Sequence, residues 1–137
     1  MFKIFLSATF VALMPTTAIA GDISKAIQLV EKFGEKDFAP STSKELYVEH
    51  DGVGYTITHD DGAISVATTI RSCVRYDAPL VVFVNDADGD GLVESVTYGL
   101  DEWKCEGSNE FATTLSQDVL QSIYDNGFEA AITAQLK

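Results

Sequence analysis

Cations are scarce in this chain: nine lysines and arginines face 21 aspartates and glutamates, for a formal charge of −12. That balance excludes a nucleic-acid surface, which needs clustered Lys and Arg, and it disfavours anionic membrane. It suits cations or a basic protein partner, and it also keeps a small protein soluble. Cysteine is limited to Cys73 and Cys105, too few for a thiolate metal site and too far apart for a CxxC redox pair. Histidine is limited to His50 and His59, which lack metalloprotease spacing and give no reason to expect zinc. No G-x-S-x-G elbow occurs, and Gly52-Val53-Gly54 lacks the later glycine of a phosphate loop. Carboxylates abound, but no pair stands out as a glycosidase acid and base. These absences favour a binding or accessory protein over an enzyme.

Long apolar runs are missing as well. The stretch from Ile4 to Met14 is far shorter than the ~20 residues of a membrane span. Lys3 precedes it, and Pro15 and the triplet Ala18-Ile19-Ala20 follow. That order is a secretory signal peptide over residues 1–20 with an A-x-A cleavage site. One exported domain, residues 21–137, is expected, in the periplasm or secreted and free of the membrane after cleavage. Lys3 leaves with no acid, so the charge becomes one unit more negative. In an oxidising compartment Cys73 and Cys105 are expected to form a structural disulfide, adding roughly 3–4 kcal/mol by chain entropy.

Asp22 can cap a helix whose apolar face carries Ile23, Ala26, Ile27, Val30 and Phe33. From Glu45 the hydrophobic period changes to two. Asp51-Gly52 and Asp61-Gly62 both suit two-residue hairpin turns. The first turn sets Leu46 opposite Ile57 and Val48 opposite Tyr55. The second sets Ile57 opposite Val66, His59 opposite Ile64 and Val53 opposite Ile70. Both put the apolar residues of three strands on one face, with His50 and His59 near strand ends on that side. Leu80 to Val84 reads as a strand buried on both faces, paired with Val93 to Leu100. Asp101 to Glu110 reads as a connector pinned by the disulfide, with Trp103 packed rather than exposed. Thr114 and Gln117 suggest a capping box before Leu115, Val119, Leu120, Ile123 and Tyr124. Asn126-Gly127 is expected to stop or kink that helix, with Phe128, Ile132 and Leu136 continuing it. The fold expected is α+β: an N-terminal helix, about five antiparallel strands in a meander, and C-terminal helices on one face.

The remaining stretch is DADGDGLVE, residues 86–94. Asp86, Asp88 and Asp90 stand at alternate positions, Gly91 allows a sharp turn, Leu92 can offer its carbonyl, and Glu94 follows. Calcium takes six to eight oxygens from carboxylates, carbonyls and water, and a curled loop supplies them in this pattern. The D-x-D-x-D-G spacing resembles the calcium loops of EF-hands and the β-hairpin loops of integrin-type propeller repeats. Thr97 stands where an EF-hand has its bidentate Glu, and the flanks read as strands. The resemblance therefore favours the hairpin type, with Glu94 completing the shell. A structural calcium site formed by Asp86, Asp88, Asp90, Leu92 and Glu94 is the leading expectation. An acidic inhibitor or adaptor of a basic secreted protein is the alternative. A metal-assisted hydrolase stands third.

Overall fold

The computed structural model describes residues 24–36 and 43–134. The expected signal peptide, the expected Asp22 cap, Ile23, Leu136 and the loop positions 37–42 lie outside the described residues. Helix α1 covers residues 24–33 and buries Ala26 and Val30 completely. Gly34 closes it by donating its N–H to the Val30 carbonyl at 2.7 Å. Phe33, expected on the apolar face, is instead about half exposed at the helix end.

The strands follow as β1 (Glu35–Lys36), β2 (Lys44–His50), β3 (Val53–Asp60), β4 (Ala63–Arg75), β5 (Ala78–Asp86), β6 (Ser95–Tyr98) and β7 (Lys104–Cys105). Helix α2 (Gln117–Ala134) ends the described chain. Five principal strands, β2 to β6, lie side by side in sequence order, every neighbouring pair antiparallel. The short β1 extends the β2 edge, and β7 pairs with the far end of β4. The architecture is thus the expected α+β meander.

Register follows the two Asp-Gly turns. Leu46 pairs with Ile57, Val48 with Tyr55, Ile57 with Val66 and His59 with Ile64. The β3–β4 ladder ends at Tyr55 and Thr68, so the expected pairing of Val53 with Ile70 does not form. On the inner face Ile57, Val66, Leu80, Val82 and Val84 are fully or almost fully buried. They form one core with Ala26 and Val30 of α1 and with Leu120, Tyr124, Phe128 and Ala131 of α2.

Three local expectations change. The strand β5 is buried on one face only, because the helices cover the inner side and Phe83 on the other is 41 % exposed. Ser116, not Thr114, caps α2, its hydroxyl accepting the Val119 N–H at 3.3 Å. Helix α2 also runs straight through Asn126-Gly127. A Cβ on Gly127 would lie 2.6 Å from Val66 Cγ1. The glycine is there for close helix-on-sheet approach, a tertiary contact that outweighs its weak helix propensity.

Cys73 and Cys105 form the expected disulfide, directly opposite each other on β4 and β7. Such bonds persist in oxidising compartments. Beside this end of the sheet Trp103 is fully buried, its ring centroid 4.9 Å from that of Tyr98. No helix among the described residues is long and apolar enough to cross a membrane.

Candidate metal centre

The strand β5 ends at Asp86, opposite Ile64 on the core side of the sheet. A carboxylate there would be costly without donors, and Asp86 is completely buried. Its donors come from two directions. Tyr124 of α2 donates its hydroxyl to Oδ2 at 2.5 Å, and Gly91 donates its backbone N–H to the same oxygen at 2.9 Å. The Asp90 N–H approaches Oδ1 at 3.2 Å. Burial alone would push the Asp86 carboxyl upward, but these hydrogen bonds outweigh it and hold the group below the ordinary aspartate value. Asp86 is therefore an anion pinned between loop and helix.

The loop beyond it curls on its own carboxylates. Asp88 Oδ1 accepts from the Asp90 N–H at 3.3 Å, and Asp90 Oδ1 accepts from the Leu92 N–H at 2.9 Å. Glu94 reaches back to accept the Ala87 N–H at 2.8 Å, closing the turn. Positive φ at Gly89 and Gly91 gives the chain its two sharp bends. A Cβ on Gly89 would come within 2.7 Å of the Gly62 carbonyl, so the loop leans on the β3–β4 turn.

Helix α2 holds the loop from the other side. Gln121 donates to the Gly91 carbonyl at 2.9 Å and accepts the Val93 N–H at 3.0 Å. Gln117 donates to the Val93 carbonyl at 3.1 Å. Gln117, Gln121 and Tyr124 thus form one helical stripe that fixes the loop backbone. Sequence reasoning missed all three as site residues. Their three- and four-residue spacing was visible, but nothing local tied that stripe to a loop some 30 positions earlier.

The outcome is convergence. Asp86, Asp88, Asp90 and Glu94 each place one carboxylate oxygen within 4.8 Å of the others. Among the described residues no lysine, arginine or histidine forms an ion pair with any of them. Partial burial and the neighbouring Asp86 hold the Asp88 carboxyl above its ordinary value. At Asp90 the hydrogen bond from Leu92 pulls the other way, but desolvation and the charges of Asp88 and Asp86 win and raise it. These acids crowd one another, and the cluster could hold a metal ion. Leu92 stands half exposed in the loop, between Asp90 and Glu94.

The histidines are used otherwise. His59 binds Glu31 of α1 through Nδ1 at 2.8 Å and accepts the Gly62 N–H on Nε2 at 3.2 Å. It ties the first helix to the β3–β4 turn, while His50 lies 3.5 Å from Asp51 at the previous turn. The acidic loop is the one group of side chains among the described residues that could hold a metal ion. No protein-family model, curated protein or solved structure matches this chain.

Proposed function

We propose that this protein is a small exported binding or accessory module stabilised by a calcium ion in the 86–94 loop. One observation carries the reading: four carboxylates from a single hairpin loop converge within 4.8 Å with no ion pair to a lysine, arginine or histidine among the described residues. Asp86, Asp88, Asp90 and Glu94 would ligate by side chain and Leu92 by its carbonyl. A donor set this rich in oxygen suits calcium, which accepts six to eight ligands in flexible geometry, better than magnesium, which keeps octahedral waters. Because Asp86 is anchored to Tyr124, the ion would tie the loop to α2, and its role would be structural. The leader pattern and the disulfide support export to a compartment where calcium is plentiful.

The test is thermal unfolding of the disulfide-bonded protein in calcium and in chelator. At calcium ten times the dissociation constant, about 1.4 kcal/mol of stabilisation is expected, read as a rise of several degrees in Tm. Asp88→Ala removes an exposed ligand with no core contact and should abolish that rise. An unchanged Tm in calcium, with no heat of binding by calorimetry, would leave the loop an ordinary acidic turn.

The exposed acids of the same loop also support a second reading, an adaptor for a basic protein. Such a partner would be released by moderate salt and would bind equally well in chelator.

A further inference from the structure

The side of the sheet turned away from the helices is not a flat polar surface. It forms an open hollow of about 540 Å³ across β2 to β5, within the range of about 300–1,000 Å³ typical of ligand clefts. One cross-strand row spans it: Tyr47 pairs with Thr56, Thr56 with Ala67, and Ala67 with Phe83. The backbone positions of two aromatic residues thus stand three strand spacings apart, about 14 Å, with small residues between them. The floor continues with Thr58, Ser65 and Thr69. Tyr47 is 61 % exposed and Phe83 41 %, an expense of apolar surface that the core does not explain.

The Tyr47 wall is built rather than incidental. A Cβ on Gly54 would fall 2.3 Å from the Tyr47 hydroxyl and 3.0 Å from its ring, so the glycine admits the phenol over β3. The hydroxyl donates to Glu49 Oε2 at 3.0 Å. Arg71 lines the same hollow, close enough for its charge to act on the Tyr47 hydroxyl. A carboxylate and a phenol therefore meet at one end of the trough, with a guanidinium on its lining.

We propose that this hollow binds a neutral saccharide chain. The complementarity is chemical. Pyranose rings present apolar C–H faces that pack on exposed aromatic rings, while their hydroxyls both donate and accept. Thr and Ser hydroxyls, the Glu49 carboxylate and the Arg71 guanidinium offer both partners in an open, wet trough. Charge excludes the obvious competitors: Glu45 and Glu49 outnumber Arg71 on the lining, and the whole chain is strongly acidic, so a polyanion would be repelled. A wholly apolar ligand would leave the row of hydroxyls and the charged rim unpaired. The proposal is independent of the metal reading, because the trough lies on the face opposite α2.

The experiment is a titration of the isotope-labelled, disulfide-bonded protein with cellohexaose, maltohexaose and chitohexaose, followed by backbone amide NMR. At least one probe should move the Thr56, Ala67 and Thr69 amides saturably, with a Kd of roughly 1 mM or tighter, and leave those of α2 unmoved. Chelator should not change the affinity. Tyr47→Ala should weaken binding about tenfold, and Tyr47→Trp should retain it. Gly54→Ala, which keeps every polar group but displaces the ring, should weaken it too. The proposal is overturned if none of the three sugars moves these amides, if polygalacturonate binds better, or if the Tyr47 and Gly54 variants bind as the wild type does. An unrelated peptide competing for the same trough with higher affinity would also overturn it.

Discussion

The two ends of β5 are fastened by opposite kinds of chemistry. At Ala78 the neighbouring β4 carries Cys73, bonded covalently to Cys105 across the short β7 pairing. At Asp86 nothing is covalent: a buried carboxylate is held by a tyrosine hydroxyl and loop N–H groups, with three more acids curled around it. The disulfide itself is indifferent to pH and salt, although the Arg75–Glu102 ion pair lies beside it. The second end is an electrostatic arrangement whose strength depends on what the solution supplies. A small domain with a modest core gains from both, but only the acid end gathers enough like charge to respond to a cation.

The largest effect should come from opening the covalent end. The bond closes a loop with a sequence separation of 32, so the double variant Cys73→Ala, Cys105→Ala should lose about 3.7 kcal/mol on the chain-entropy estimate. Urea unfolding read by Trp103 fluorescence would measure it. Distant sites generally contribute additively, so the calcium-dependent shift should survive in that variant. Loss of the shift would show that the two fastenings are one cooperative unit.

The next effect belongs to the acid end and to its anchor. Tyr124→Phe leaves the ring packed on Phe128 but takes one donor from a buried carboxylate. The expected cost is about 1.5–3 kcal/mol, the range for hydrogen bonds to charged groups. Burial and then Asp86 push the Tyr124 phenol far above the ordinary tyrosine value of 10.0. Its stabilisation is therefore complete below pH 10 and declines as pH rises beyond it, because the unfolded chain then releases a proton that the folded one keeps. Unfolding free energies between about pH 9 and 11 should fall less steeply in the variant. Equal slopes would mean that Tyr124 is not the group holding Asp86.

The meander was legible in the sequence because turn chemistry and alternation agree there. Asp51-Gly52 and Asp61-Gly62 fix where the strands reverse, and the apolar residues then fall on one face without further choice. The metal candidate was legible for a similar reason: its side-chain donors lie within nine consecutive residues. What stayed hidden depends on distant partners. Val81 and Phe83 look like a doubly buried strand because five apolar residues in a row carry no sign of which face will be covered. Asn126-Gly127 looks like a helix stop because nothing local announces that Val66 needs the space. Tyr124 reads as one more core residue, and only the fold puts its hydroxyl on Asp86. Local rules identified the loop, but the helix that holds it had to be seen in three dimensions.

The smallest effect lies on the acid side and sharpens the contrast most directly. In chelator the raised Asp88 and Asp90 carboxyls bind protons before the same groups do in the unfolded chain, whose value is near 3.8. Raised folded values mean that these two groups oppose folding at neutral pH, and protonation relieves them. The metal-free protein should therefore gain slightly in stability as pH falls from neutral toward that unfolded value. Below the unfolded value of 3.8 the lowered Asp86 takes over, and stability is lost as pH falls through its folded value. In calcium the first trend should reverse, because protons compete with the ion for the same oxygens. The calcium-dependent rise in Tm should thus be smaller near pH 4 than at pH 7, eroded from both sides, while reduction of the disulfide costs the same at either pH. An ion effect that did not change with pH would mean that crowding among these acids is not what the cation relieves.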